Sequence, residues 1–112
     1  MAEKKGFAEY VQRGNNIDFT AADGAEYMQV VPMSDRIGIA MENIQPGETG
    51  TVTLVGVFRL PAATGTELQA GEKVYWDSTN GNITKTAESN VPAGYAIAPK
   101  ASAVATAVVR IG

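Results

Sequence analysis

The side chains best placed to do chemistry in this 112-residue sequence are its carboxylates, and they stand apart from one another. Asp18, Asp23, Glu26, Asp35, Glu42, Glu48, Glu67, Glu72, Asp77 and Glu88 occur singly, most of them beside turn residues. Two could meet across a barrel as an acid and base pair, but solvated surface carboxylates are the ordinary outcome of such spacing. Histidine and cysteine are both absent. That removes the commonest general base and zinc ligand, every Ser-His-Asp arrangement, the thiolate nucleophile and all disulfides. Neither a G-x-x-x-x-G-K-[ST] loop nor G-x-G-x-x-G occurs, so nothing is built to cradle phosphates. There is no G-x-S-x-G elbow and no S-x-x-K pair. Asp77-Ser78-Thr79-Asn80-Gly81-Asn82 is oxygen-rich like a calcium loop, yet it lacks the acidic spacing and the closing glutamate. It reads as a hairpin turn. Asn82-Ile83-Thr84 fits the glycosylation triplet, with no sign of secretion to give it meaning. No catalytic residue, cofactor or metal is expected.

Charge narrows the partners. Nine Lys and Arg against twelve Asp and Glu give a net −3 and a pI near 4.8. Nucleic-acid binding needs clustered cations, so no direct nucleic-acid contact is expected. No apolar run nears the roughly 20 residues of a membrane span, and no membrane partner is expected. The charged opening Met1-Ala2-Glu3-Lys4-Lys5-Gly6 is followed by no signal-type apolar stretch, which points to a cytoplasm as the place of synthesis.

The elements that would position any site are strands. Eleven Val, seven Ile and ten Thr stand against three Leu. Side chains branched at Cβ are stiff at χ1 and suit a pleated surface, whereas a helical domain of this size would be rich in Leu. Twelve Gly and five Pro supply turns. Strands are expected at Ile17–Thr20, Tyr27–Val31, Arg36–Ala40, Thr49–Leu60, Lys73–Asp77, Asn82–Lys85, Tyr95–Ala98 and Thr106–Ile111, with no helix of any length. Asn80-Gly81 signals a hairpin with a type I′ turn. Glycines at 24, 47 and 71 recur in similar turn text, marking turns rather than a solenoid. Strands at this spacing suggest one all-β domain over residues 17–112, a small sandwich or barrel of about eight short strands.

Period-two alternation assigns a core of Val52, Leu54, Phe58, Val74, Trp76, Tyr95, Ile97 and Val109. Tyr75, next to Trp76 in one strand, must then face outward. Flanked by Lys73 and Asp77, it is a candidate interface residue. Residues 1–16 read differently. Phe7, Tyr10 and Val11 share a helical spacing, but one turn between Gly6 and Gly14 cannot hold a free helix. The segment is an extended arm or a first strand laid on the domain's own sheet. As an arm, it would dock Phe7, Tyr10 and Val11 on a neighbouring subunit, with Arg13 meeting an acidic patch there.

From Leu68-Gln69-Ala70-Gly71-Glu72-Lys73-Val74-Tyr75-Trp76-Asp77 a resemblance emerges. With Asn16-Ile17-Asp18-Phe19-Thr20, Arg36-Ile37-Gly38-Ile39-Ala40, Ile44-Gln45-Pro46-Gly47-Glu48-Thr49-Gly50, Val55-Gly56-Val57-Phe58, Gly81-Asn82-Ile83-Thr84, Ala93-Gly94-Tyr95-Ala96 and Thr106-Ala107-Val108-Val109-Arg110, the chain resembles the bacteriophage capsid cement family from about residue 10 to 112. The resemblance implies a head-decoration protein on the outer capsid surface of the virion, made in a bacterial host cytoplasm. Its implied partners are the major capsid protein and further copies of itself, as a dimer or trimer. No catalytic residue comes with the family. Two other readings fit the residues: a small β-barrel ligand- or saccharide-binding module, and a β enzyme using two carboxylates.

Overall fold

In a computed structural model, alternating apolar and polar residues organise into nine strands and no helix among the described residues, 6–112. Residues Met1–Lys5 of the expected arm lie outside them. The strands are β1 (Asn16–Thr20), β2 (Val30–Pro32), β3 (Ile37–Ala40), β4 (Thr49–Thr53), β5 (Gly56–Pro61), β6 (Lys73–Asp77), β7 (Asn82–Thr84), β8 (Val91–Ala96) and β9 (Thr106–Ile111). They form two antiparallel sheets, ordered β1-β4-β3-β2 and β5-β9-β8-β6-β7.

The five-stranded sheet curls until its two edges meet. Ala62, following β5, bridges Ile83 of β7 in parallel, and the Ala63 amide donates to Ile83 O at 2.9 Å. Closure into a small barrel hides edges that would otherwise invite aggregation. Inside lie Val74, Trp76, Ile83, Val109 and Ile111, joined by Ile37 and Ile39 from the other sheet. Small residues, Ala93, Ala96 and Ala107, share that core with the one indole. A narrow barrel accommodates a Trp only beside small neighbours.

The expected Thr49–Leu60 strand is two strands in different sheets. Alternation survives the break because Val52 and Leu60 are both buried, each in its own sheet. At the junction the Leu54 amide donates to Asn15 O (2.7 Å), and Arg36 Nη2 donates to Leu54 O (2.7 Å). Leu54's backbone is thereby spoken for and the chain turns into Gly56, whose φ is 152°. Leu54 and Phe58 are half-buried.

Three further expectations need correction. Tyr95 and Ile97 are not core: they are 47% and 45% exposed. The β6–β8 register shifts between Val74 and Tyr75, where Val74 faces Gly94 and Tyr75 faces Pro92. Tyr95 is in register with outward Lys73 and Arg110, and the bulge lets Ala93 face inward along with Ala96. The β6–β7 hairpin is present, but its loop is not a type I′ turn. Four residues, Ser78–Gly81, connect the paired Asp77 and Asn82, and only Gly81 has positive φ, at 67°. The Asp77 carboxylate sets that shape, accepting from the Thr79 and Asn80 amides at 2.9 and 3.1 Å. Tyr27–Gln29 form a turn rather than the start of β2. The Gln29 amide donates to Glu26 O (3.0 Å), the Met28 amide to Ala40 O (2.7 Å) and the Tyr27 amide to Asn43 Oδ1 (2.9 Å). These bonds hold Met28 at φ 70°, a left-handed conformation that costs a non-glycine residue energy.

A second, smaller core sits on the far face of the four-stranded sheet, where Ala21, Val31, Ala40, Ile44 and Val52 pack together under the sheet's own turns.

Candidate interaction surface

The carboxylates do not converge on a reaction centre. Among the described residues no three of His, Cys, Asp or Glu are grouped to hold a metal ion. Glu72 lies below the usual carboxylate range, chiefly because Lys85 Nζ hydrogen-bonds it at 3.0 Å, with the Gln69 amide adding to the effect. Asp77 is lowered too, first by the Asn80 amide and then by the Asn80 side chain. A general acid at neutral pH needs the opposite shift. Both carboxylates are fastening turns.

The barrel interior is filled by Trp76 and its neighbours, which leaves open hollows at the surface. One of them, about 730 Å³, lies between Asp23, Glu26, Asn43 and Pro46. Without an enclosed apolar cavity or stacked aromatics, such a hollow is unlike an ordinary small-ligand site.

What the surface does offer is exposed apolar side chains, and two groups of them stand out. The first precedes β1. Phe7, Tyr10 and Val11 are 76%, 80% and 83% exposed, and residues 6–13 belong to no strand. Their backbone joins the domain at Asn15, whose carbonyl accepts from Leu54 N and, at 3.2 Å, from Thr53 Oγ1. Arg13 is exposed beside a hollow that it shares with Gln12, Asn16, Asp18 and Thr51.

The second is the outside of the barrel. Val57 pairs with Arg110, Arg110 with Tyr95 and Tyr95 with Lys73, so four strands present one continuous exposed row. In the adjoining row Arg59 pairs with Val108, and the Ile97 amide donates to Val108 O at 3.0 Å. Tyr75, half-buried, lies in register with Thr84 and Pro92 on the same sheet. The structure therefore separates the expected interface residues: the arm set adjoins the four-stranded sheet, and Tyr75 sits on the barrel. Tyr95 and Ile97 were missed as surface residues. Alternation in β9 does place Arg110 and Val108 outward, but the bulge in β8 leaves no mark in the sequence.

Exposed apolar side chains on the arm and on the barrel offer this all-β domain surfaces for contact. The family model of the phage cement protein matches residues 11–111, nearly the whole chain. The chain belongs to the phage cement protein family. No curated protein and no solved structure matches it. Membership brings association with a phage capsid and a structural role; the segments that carry the resemblance in the sequence lie on β1 and on β3 to β9.

Proposed function

We propose that this cement protein binds the outer surface of a tailed-phage head and stabilises contacts between major capsid subunits. The observation that carries the reading is the family match over residues 11–111, which begins at Val11, within the exposed apolar segment Phe7–Val11. The arm is the anchor. Phe7, Tyr10 and Val11 bury their side chains on shell subunits, and Arg13 meets a carboxylate there. Each buried anchor contributes on the order of 1.5–3 kcal/mol, offset by the entropy of ordering the segment. A protein that binds only the assembled lattice shifts the equilibrium toward it by its binding free energy. Many copies over one shell multiply a modest contact into a large total. The protein acts by binding, with no turnover.

Heads that lack the protein test this. Adding the purified chain is expected to saturate a fixed number of sites per head and to raise the temperature at which heads rupture. Heads that bind it without any gain in rupture temperature would refute the stabilising role.

A further inference from the structure

Six asparagines occur in the sequence, and Asn80 alone is followed by glycine. That pair invites one reaction. The backbone nitrogen of the glycine attacks the side-chain carbonyl carbon of the asparagine, and a C–N bond forms. The side-chain nitrogen leaves as ammonia, taking up the proton that the backbone nitrogen gives up. The five-membered imide that results takes up water and opens to aspartate or to its β-linked isomer. Glycine favours the attack because it has no Cβ to crowd the nitrogen. Asn80 and Gly81 are both exposed, and a Cβ placed on Gly81 would meet nothing within 4 Å. Sterically the reaction has room.

Hydrogen bonds to Asp77 oppose it. Oδ1 accepts from the Thr79 and Asn80 amides, Oδ2 accepts from Asn80 Nδ2 at 2.8 Å, and the Asp77 carbonyl accepts from the Gly81 amide at 2.7 Å. The attacking nitrogen is thus tied through its N–H to a neutral carbonyl, which is no base and holds the peptide plane still. The Asn80 side chain is tied through the nitrogen that must leave, by a bond to a carboxylate, which is stronger than a neutral one. It cannot swing toward Gly81 without breaking that bond. The Asp77 anion also opposes the negative charge that builds on the Asn80 side-chain oxygen during attack. All three effects slow the reaction.

We propose that Asn80 is a modification site, a deamidation point that Asp77 holds closed in the folded chain and that reacts when the β6–β7 loop opens locally. Its product weakens the barrel. A carboxylate at position 80 stands where an amide donated to Asp77, so attraction turns to like-charge repulsion. The β-linked isomer adds a carbon to the backbone between the paired Asp77 and Asn82. The strands on either side of the loop carry Trp76 and Ile83 into the core, and Ile83 also closes the barrel against Ala62. Asp77 therefore guards the lifetime of the closed sheet as well as the shape of its turn. The inference rests on the loop and does not depend on shell binding.

Peptide mass spectrometry of the purified chain, held for weeks at neutral pH, is the test. Conversion at Asn80 is expected to be at least about tenfold faster in urea than in the folded chain, the factor that one hydrogen bond to a charged group supplies. Asp77→Ala, with an unchanged circular-dichroism spectrum, is expected to convert about tenfold faster than the wild type under folding conditions. If that variant does not fold, Asp77→Asn keeps an acceptor for the Thr79 and Asn80 amides, and is expected to speed conversion by a smaller factor. Asn80→Ser is expected to abolish conversion, and Asn80→Asp to lower the urea midpoint. A folded wild type that converts as fast as the chain in urea overturns the proposal. So do folded Asp77 variants that convert no faster than the wild type. An increase no larger than the variant's own unfolded fraction explains assigns the protection to global stability and equally overturns it.

Discussion

The two sheets solve the same problem in different ways. The five-stranded sheet curls on itself, encloses Trp76 and leaves few edge groups open. The four-stranded sheet stays open, lending Ile37 and Ile39 to the barrel core while its other face is roofed by its own turns. The barrel holds the larger core. The open sheet and its turns hold the left-handed Met28, six of the twelve carboxylates and the junction with the arm. A closed sheet supplies rigidity, and an open one accommodates loops and contacts at little cost to the core.

The sharpest way to break this comparison is to empty each core in turn. Trp76→Ala is expected to cost about 3–5 kcal/mol, a large share of the roughly 5–15 kcal/mol typical of a domain. Ile44→Ala, in the smaller core, is expected near the lower end for such changes, about 2 kcal/mol, because the surrounding turns can settle into the space. Urea unfolding measures both. Equal losses would mean that the two cores do not differ in weight.

Met28→Gly separates strain from packing. Met28 is 47% exposed and gives up little burial, while glycine adopts φ 70° freely. A gain of about 0.5–1 kcal/mol is expected from relief of the left-handed strain, less the entropy of a more flexible unfolded chain. A loss would show that the side chain itself holds the turn.

The smallest effect concerns the barrel's carboxylates. Glu72 and Asp77 both have lowered pKa values in the folded state, so what they contribute is present above the ordinary carboxylate range. It is lost as pH falls through those lowered values. The β6–β7 hairpin is expected to loosen slightly in acid, with no change between neutral and mildly basic pH, and hydrogen exchange of the Thr79 and Asn80 amides would follow it. Asp77→Asn removes most of that acid response.

Most of the architecture was legible because strands announce themselves in period two and turns in glycine. Tyr75 and Trp76 were assigned to opposite faces by adjacency alone, and the half-buried Tyr75 and 8%-exposed Trp76 agree with it. Three things were not legible. The β4–β5 break is hidden because the inward positions stay in phase through Leu54 and Val55. The faces of Tyr95 and Ile97 are set by pairing, since Tyr95 lies in register with outward Lys73 and Arg110, and alternation within Tyr95–Ala98 fits either phase. The barrel's cationic row exists only through pairing of residues from β5, β6, β8 and β9. The arm's apolar residues were visible in the sequence; what they contact was not.

Binding of an arm-deleted chain to heads addresses the proposed anchor most directly. Removal of residues 1–12 leaves Asn15 and every strand in place. The account predicts a melting curve close to that of the intact chain, together with loss of saturable binding to heads that lack the protein. A truncated chain that unfolds, or that fills heads as well as the intact one, would contradict it.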